Sequence, residues 1–353
     1  MKLGLNLGYW GAGNDKDNLL LAREADRLGY SVCWAAEAYG SDAPTVLSWV
    51  AAQTERIDIG SAVMQIPART PAMTAMTAAT LDSLSGGRFR LGLGVSGPQV
   101  SEGWHGVRFD NPLGRTREYV DIVRLALGRR RVSYQGRHYT LPLPDGPGKA
   151  LQLTVRPVRE QVPIYLASVG PKNLALTGEI ADGWLGVFFA PEHAGVSIDP
   201  IRQARVAAGR AEAADPLAGF DIVPTVPVVV GDDVAEAANG VRLYTALYVG
   251  GMGSRQQNFY NALVRRMGYE EVAQTVQDLY LDQKQLAAAD ALPVDLLDAT
   301  ALLGPRDRIA DRLHAYAEAG VSTLSVAPLA GSTQDRVQTL RTMVDAVERA
   351  GLA

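Results

Sequence analysis

The sequence predicts a (β/α)8 barrel, an α/β fold, with a helical insertion after its seventh strand at about residues 233–299. Strand-like and helix-like segments alternate from the first residues onward, and eight such pairs can be counted. The first and fourth strands carry glycine or asparagine on one face, whereas central strands of an open parallel sheet are apolar on both faces. A closed barrel accommodates small inward residues, so we expect one barrel domain spanning residues 1–353.

Alternation with a period of two residues identifies the strands. In the first strand, Leu3, Leu5 and Leu7 alternate with glycine and asparagine, and the fourth strand alternates leucines with glycines in the same way. The predicted strands cover residues 3–7, 31–36, 57–63, 89–95, 162–167, 184–189, 222–230 and 321–327.

Helical periodicity and capping residues identify the helices between these strands. Thr70-Pro71 and Asp199-Pro200 each place a capping side chain before a proline, whose missing N–H is not needed in the first helical turn. Asp42 stands near the start of the second helix, and Ser332 is expected to cap the last one. The predicted helices begin near residues 17, 44, 70, 112, 171, 199, 305 and 332.

Composition and charge argue against two classes of partner. The formal net charge is −4, and the basic run at residues 129–131 is too short to follow a nucleic-acid backbone. No run of 18 apolar residues is present to span a membrane, and the first residues do not resemble a secretory signal. Cys33, the only cysteine, lies in an apolar run and is expected to be a buried thiol. We therefore expect a cytoplasmic protein that acts on a small molecule.

The most distinctive local pattern is the glycine-rich run around the predicted fourth strand. Gly86-Gly87 predicts a tight turn with positive φ before the strand. Gly94-Val95-Ser96-Gly97 leaves the strand at its carboxyl end, where glycine lets a ligand approach the backbone closely. The same glycines are compatible with relief of crowding inside a barrel, and their spacing does not separate the two interpretations.

A second pattern, Ser168-Val169-Gly170-Pro171-Lys172, leads from the fifth strand into a helix. Free N–H groups at a helix start attract anions, and Lys172 adds a positive charge, so the phosphate of a coenzyme would be bound well there. An ordinary helix start with a surface lysine gives the same pattern. Two such turns at strand ends, on the face where barrel enzymes keep their active sites, favour a ligand-binding mouth.

Two further segments leave strands at the same end. Ala62-Val63-Met64 follows the third strand, and small side chains with a flexible methionine suit a flat aromatic ring, although packing explains them nearly as well. Glu37 follows the second strand, where its carboxylate could bind a ligand or transfer a proton. A structural ion pair with an arginine is an equally good interpretation of Glu37.

Other reactive side chains are scarce. His105, in the loop after the fourth strand, is the one histidine that we expect near the mouth, whereas His138 and His314 belong to outer segments. No set of His, Cys, Asp and Glu has metal-ligand spacing, so no metal site is expected, and no Ser-His-Asp set is recognisable. This pattern fits an enzyme whose cofactor carries the chemistry.

These motifs resemble those of the bacterial-luciferase-like oxidoreductases. The similarity is carried by Ser85-Gly86-Gly87-Arg88 and Leu91-Gly92-Leu93-Gly94-Val95, and it extends over essentially the whole chain. It also includes residues 3–6, 69–71, 115–118 and 180–184. The chain is most similar to the branch that uses coenzyme F420, an 8-hydroxy-5-deazaflavin, and residues 247–253 of the insertion are part of that closer match.

The resemblance implies a homodimer and a non-proline cis peptide at Ala62-Val63, in a bulge of the third strand. The ring of the coenzyme would lie against this bulge, and its phosphate would meet the amides around Val169, Gly170 and Lys172. The candidate coenzyme-binding residues are Glu37, Ala62, Val63, Met64, Gly94, Val95, Ser96, Gly97, Ser168, Val169, Gly170, Pro171 and Lys172.

Two positions depart from relatives that act on sugar phosphates. Those relatives carry a catalytic histidine just after the strand-two carboxylate, where this chain has Ala38. Their glutamate after strand four is replaced by Val95 or Ser96, while Glu37 keeps the acidic position after strand two. Both changes argue against the acid–base mechanism of those dehydrogenases.

We therefore expect an oxidoreductase that transfers a hydride between coenzyme F420 and a small organic substrate, with positioning of the reacting carbons supplying most of the rate. Glu37 and His105 are the candidate catalytic residues for proton transfer. The candidate substrate-binding residues are Trp10, Tyr39, Trp104 and Met252. Two alternatives stay open: an FMN-dependent monooxygenase on the same fold, and a non-catalytic flavin-binding protein.

Overall fold

Eight parallel strands form the centre of the protein, whose computed structural model describes residues 1–8, 15–329 and 331–353. The strands are β1 (Lys2–Asn6), β2 (Val32–Ala35), β3 (Asp58–Ser61), β4 (Phe89–Gly94), β5 (Ile164–Ala167), β6 (Gly183–Val187), β7 (Asp221–Val230) and β8 (Thr323–Pro328). Each strand pairs with the next, and β8 pairs with β1, so the sheet closes on itself. The predicted (β/α)8 barrel is confirmed.

Helices alternate with these strands and cover the outside of the barrel. They are α1 (Asp15–Leu28), α2 (Ala43–Ala52), α3 (Pro71–Leu84), α4 (Pro112–Leu127), α5 (Pro171–Ile180), α6 (Gly195–Ala207), α7 (Arg306–Glu318) and α8 (Thr333–Arg349). Cys33 is buried in the core between strands and helices, as predicted, and burial raises the pKa of its thiol. None of the helices in the described ranges is long and apolar enough to cross a membrane.

Shorter elements extend the strand ends. They are the strand Met64–Gln65, the 3-10 helices Ile66–Ala68 and Pro191–His193, the helix Pro98–Gly103, and the hairpin Tyr134–Gln135 with Thr140–Leu141. Between β7 and β8 lie the helices Val234–Ala246, Phe259–Arg266, Glu270–Leu281, Gln285–Asp290 and Val294–Ala299, the π-helix Leu247–Gly251 and the strand Leu302–Gly304. The helices after β7 bury an apolar cluster of their own.

Asparagine side chains hold the π-helix after β7. Asn258 Nδ2 donates to the carbonyl oxygens of Tyr248 and Val249, at 3.0 Å each, and Asn261 Nδ2 donates to that of Val249 at 3.1 Å. Both asparagines are buried, so they satisfy carbonyl groups that water does not reach.

Three of the four predicted helix caps are present. The side chains of Asp42, Thr70 and Ser332 accept hydrogen bonds from backbone N–H groups in the first turns of α2, α3 and α8. The prediction that Asp199 and Pro200 begin a helix is wrong, because both residues lie inside α6. Pro200 instead removes one helical hydrogen bond there, since proline has no N–H to donate.

The indole of Trp34 fills the interior of the barrel. It is fully buried and meets the ring of Tyr165 edge to face, with ring centroids 5.3 Å apart. A Cβ atom added at Gly60 would lie 2.3 Å from the indole, and one added at Gly4 would lie 3.2 Å from its nitrogen. These glycines therefore make room for the indole, as expected for a crowded barrel interior.

Polar side chains close the N-terminal end of the barrel. Arg90 Nε donates to Asp58 Oδ2 at 2.8 Å, and Arg90 Nη1 donates to Asp221 Oδ2 at 3.2 Å. The hydroxyl of Tyr165 donates to Asp221 at 3.0 Å. These residues stand at the starts of four strands, and barrel enzymes bind their substrates at the opposite end.

The end of β3 bulges against β4. Gly60 pairs with Arg90, but Met64 pairs with Leu93, so the third strand carries one residue more than the fourth between these pairs. The bulge contains a cis peptide bond at Ala62-Val63, which confirms the expectation from the resemblance.

The backbone of β4 is fitted closely to this bulge. Ser61 Oγ donates to the carbonyl of Gly92 at 2.8 Å and accepts from its N–H at 2.9 Å. A Cβ atom on Gly92 would lie 1.9 Å from the carbonyl oxygen of Ser61, and one on Gly94 would lie 2.6 Å from Val63. Crowding against the bulge therefore accounts for glycine at both positions.

We expect Gly92→Ala to lower the free energy of unfolding by about 1–3 kcal/mol or more, because the added methyl group collides with backbone. Urea unfolding followed by circular dichroism measures the change. Gly103→Ala is the matched control, since a Cβ atom at Gly103 meets nothing within 4 Å. Equal stability of the two variants would contradict the close fit of bulge and strand.

Candidate active site

Small, half-buried side chains line the C-terminal mouth of the barrel where β2, β3, β5 and β6 end. They are Ala36, Ala62, Val63, Ala167 and Val187, and we call them the mouth floor. Val95 lies instead beside Ile66, Pro67 and Ser101. Apolar side chains of this size offer a flat surface without a charge, which suits a planar ring. The cis peptide of the bulge lies within this floor.

An arginine binds Glu37 at the end of β2. Arg69 Nη1 donates to both carboxylate oxygens, at 2.7 and 2.9 Å, and its other amino group pairs with Asp42. The side chains of Glu37 and Arg69 are only 9% and 14% exposed. Burial raises the pKa of Glu37, and the hydrogen bond from Arg69 acts in the opposite direction. This geometry favours the ion-pair interpretation, and proton transfer by Glu37 stays a prediction.

The side chain of Gln65 joins two groups at the mouth, and its backbone lies beside a third. Its Nε2 donates to Ser96 Oγ at 3.0 Å, and its Oε1 lies 2.9 Å from His105 Nε2. Its backbone N–H acts on the carboxylate of Glu37 and lowers the pKa of that group. Gln65 is buried, so these bonds are shielded from water. The structure thus brings Glu37 from the end of β2 together with Ser96 and His105 from the segment after β4, around Gln65 at the end of β3.

His105 is half-buried at the edge of this group. Burial, and then the charge of Arg69, lower the pKa of His105 from its usual value. The imidazole is therefore neutral at neutral pH and able to accept a proton. The hydrogen bonds that run from His105 through Gln65 end at Ser96, whose φ of 61° lies in the left-handed region.

The start of α5 is open. No side chain caps it, in contrast to α2, α3 and α8, and a Cβ atom on Gly170 would meet nothing within 4 Å. Pro171 and Lys172 are exposed. The side chain of Ser168 is buried, and its Oγ forms a hydrogen bond of 2.8 Å with the hydroxyl of Thr177. Ser168 therefore has a structural role beside α5. Unpaired N–H groups at such a helix start attract an anion.

Arg266, at the end of the helix Phe259–Arg266, reaches this helix start. Its Nη2 donates to the carbonyl of Val169 at 2.9 Å. Burial lowers the pKa of Arg266, and among the described residues no carboxylate forms an ion pair with it. Arg266 and Lys172 therefore place two cations beside the open start of α5.

An aromatic cluster covers the end of β6. Its members are Phe188, Tyr244, Tyr248 and Tyr260, with ring centroids 5.6 Å apart for Phe188–Tyr244 and 4.9 Å apart for Tyr248–Tyr260. Three of the four rings come from the segment after β7, so the cluster ties that segment to the barrel. Met252 packs against it and is half-buried, next to the mouth.

The remaining predicted residues have different surroundings. The side chain of Met64 is fully buried in the main core and does not reach the mouth floor, because the extra residue of the bulge reverses the facing of the residues after it. Tyr39 and Trp104 are 69% and 66% exposed. Trp10 lies outside the described residues. In the part of the chain that the structure describes, no group of acidic, histidine and cysteine side chains could hold a metal ion.

Two residues of the site were not assigned from the sequence. Gln65 stands between Met64 and Ile66. A polar residue within an apolar run at the end of a strand indicates a side chain with a specific polar partner, so the sequence did contain a signal for Gln65. Arg266 gave no local signal, because its partner Val169 lies 97 positions away in the chain.

The chain belongs to the luciferase-like monooxygenase family, whose sequence profile matches residues 10–323. It is therefore an oxidoreductase built on the barrel described above. The match covers the bulge of β3, Gln65, His105 and the start of α5.

Individual relatives extend this comparison. A Mycobacterium tuberculosis protein provisionally designated a coenzyme F420-dependent oxidoreductase is 43% identical over 95% of this chain and 96% of its own length. The coenzyme F420-dependent tetrahydromethanopterin reductase of Methanopyrus kandleri has a TM-score of 0.82 at 22% identity, covering 99% of this chain and 98% of that one. An F420-dependent secondary alcohol dehydrogenase, solved with an F420–acetone adduct, has a TM-score of 0.78 at 17% identity and 98% coverage of both chains. These two structures confirm the fold.

We expect Arg69→Met to lower the free energy of unfolding by about 3–5 kcal/mol at neutral pH, because Glu37 is left buried without its cation. The pKa of Glu37 is already raised in the folded protein. The stability that this carboxyl contributes is therefore present below its unfolded pKa and is lost as pH rises through its folded pKa. Urea unfolding at acidic and neutral pH should show a smaller loss at acidic pH.

The double variant Glu37→Gln, Arg69→Met is the control for this experiment. It removes the buried charge together with its partner, so it should be more stable than Arg69→Met alone at neutral pH. A loss of the same size at both pH values, with no recovery in the double variant, would show that Arg69 acts through packing and not through Glu37.

Proposed function

We propose that this protein is a coenzyme F420-dependent oxidoreductase that transfers a hydride between the deazaflavin and a small organic substrate. The observation that carries the proposal is the adjacency of two features at the mouth. The mouth floor and the open start of α5 lie at the ends of β3 and β5, which flank β4, with Lys172 and Arg266 beside the helix start. The designation of the Mycobacterium tuberculosis relative supports the same coenzyme.

The residues present fit such a coenzyme. Ala62 and Val63 would hold its ring, since they are small, half-buried and uncharged. The N–H groups at Gly170 and Lys172, with the guanidinium of Arg266, would hold its phosphate. When bound, the deazaflavin supplies a carbon that donates or accepts a hydride.

The chain's own residues contribute position and protonation. The mouth floor and the aromatic cluster would exclude water from the reacting carbons and hold the substrate in place. Arg69 holds Glu37, so we assign Glu37 to the positioning of its neighbours. His105, with its lowered pKa, is the group that we propose exchanges a proton with the substrate heteroatom.

We also propose that the protein is a homodimer. Trp49 on α2 and Met73 and Met76 on α3 are large apolar side chains exposed on neighbouring helices. An apolar patch of this kind typically marks an interface between protein chains.

We further propose a single barrel domain in the cytoplasm, where a reducing environment suits the unpaired thiol of Cys33.

The choice of coenzyme can be tested directly. Purified protein is titrated with oxidised and reduced F420 and with FMN, and reoxidation of each bound coenzyme is followed with and without oxygen. We expect micromolar binding of F420 and oxygen-independent turnover with a carbonyl or imine acceptor. Binding of FMN alone with oxygen-dependent turnover would establish the FMN-dependent monooxygenase instead. Tight binding without turnover on any acceptor would favour a non-catalytic flavin-binding protein.

The phosphate site predicts that Lys172→Ala and Arg266→Ala each weaken F420 binding by about tenfold, since each removes one charged contact. The effect should be largest at low ionic strength, because salt screens exposed charges. Lys149→Ala, which removes an exposed lysine from a distant loop, is the matched control for net charge. Fluorescence titration measures the three dissociation constants, and unchanged binding in both variants would refute the phosphate site.

A further inference from the structure

We infer that Gln65 is a positioning residue that holds the proton of the neutral His105 ring on Nε2 and leaves Nδ1 as the atom that exchanges a proton. The hydrogen-bond state of His105 follows from the geometry of this chain alone. Its consequence for turnover rests on the proposed function.

The direction of the hydrogen bonds follows from what each atom can do. The amide nitrogen of Gln65 only donates, and it lies 3.0 Å from Ser96 Oγ. The amide oxygen only accepts, and it lies 2.9 Å from His105 Nε2. With the amide in this orientation, Nε2 carries a hydrogen. The same amide orientation also serves the imidazolium, because both ring nitrogens then donate and Nε2 still needs an acceptor.

Several contacts hold the side chain of Gln65 between Ser96 and His105. Gln65 is buried at 4% exposure, and its backbone lies beside Glu37, which Arg69 holds in turn. The left-handed backbone of Ser96 places its hydroxyl at the amide nitrogen. His105 can thus gain and lose a proton at Nδ1 without rotation of the amide.

The charges around His105 are consistent with a ring that is neutral between proton exchanges. Arg69 is the cation that acts on the ring, and it is itself paired with Glu37. Glu102, on the helix before His105, is engaged by a backbone N–H. Among the described residues no carboxylate pairs with His105, so the acceptor at Nε2 is the neutral amide of Gln65.

This arrangement balances the protons of a reduction. In a reduction, the neutral ring first takes up a proton from the solvent at Nδ1. When a substrate carbon then accepts a hydride, its oxygen or nitrogen becomes basic and takes this Nδ1 proton. The ring is again neutral with its remaining proton on Nε2, bound to Gln65. In the oxidation direction, neutral Nδ1 accepts the proton of a substrate hydroxyl or amine.

Nuclear magnetic resonance of the full-length protein tests the assignment without any coenzyme. With ¹⁵N-labelled histidine, the ring signals distinguish a proton on Nε2 from one on Nδ1. The chain has four histidines, so His105→Asn identifies the signals of His105 and leaves three as internal references. We expect neutral His105 to carry its proton on Nε2 alone. A proton on Nδ1, or an even mixture, would overturn the inference even if every variant of Gln65 and Ser96 failed to fold.

Substitutions of the two partners test the cause. Gln65→Glu places a carboxylate against Nε2 and should raise the pKa of His105 by about 1–3 units. Gln65→Met keeps the size of the side chain, removes the acceptor and should lower that pKa. Ser96→Gly removes the hydroxyl while tolerating the positive φ, so the amide can rotate and both ring forms should appear.

Activity then tests the role in catalysis. With F420 and a substrate, the pH profile of kcat should move in the same direction as the pKa of His105 in each variant. The alkaline limb should move in the reduction direction, where the imidazolium donates, and the acid limb in the oxidation direction, where neutral Nδ1 accepts. Unchanged ring signals and pH profiles in all three variants would show that Gln65 is merely structural. If the protein does not bind F420, the proposed function fails, whereas the ring signals still decide the role of Gln65.

Discussion

The contact between the bulge of β3 and the backbone of β4 is the constraint on which the mouth of this barrel depends. The hydroxyl of Ser61 takes the place of a backbone partner for both polar groups of Gly92. Because the bulge adds one residue, it reverses the facing of the side chains that follow it. Met64 is turned into the outer core and Gln65 toward the mouth, where it meets Ser96 and His105.

The charges at the mouth are arranged around this bulge in two groups. Inside, Arg69 pairs with Glu37 and with Asp42, so the charged groups there are bound to one another. Outside, Lys172 and Arg266 stand at the open start of α5. A coenzyme with a flat ring and a phosphate would therefore meet uncharged surface with one end and cations with the other. Hydride transfer favours such an uncharged surface, because water and competing charges are kept from the reacting carbons.

The segment after β7 completes the site from a distance. Its π-helix is held by Asn258 and Asn261, and its tyrosines pack onto Phe188 at the end of β6. Arg266 brings a positive charge from this segment to the barrel. The segment thus contributes to both ends of the proposed coenzyme site, although no strand of the closed barrel belongs to it.

The sequence by itself determined the barrel, the caps at Asp42, Thr70 and Ser332, and the segments that leave the strands at the mouth. These features rest on periodicity and on bonds between near neighbours in the chain, so a short window of residues contains them. The same short window misplaced the start of α6 at Pro200, because an aspartate before a proline looks the same at a helix start and inside a helix.

Only the tertiary structure decided which side chains meet at the mouth. The facing of Gln65 depends on an extra residue in the bulge, and its bond to His105 joins two strand exits 40 positions apart. Arg266 reaches Val169 across 97 positions. Whether Glu37 pairs with an arginine or stands free is likewise settled by packing. Such contacts form when the barrel closes and brings the strand ends together. The local periodicity of the sequence therefore does not indicate them.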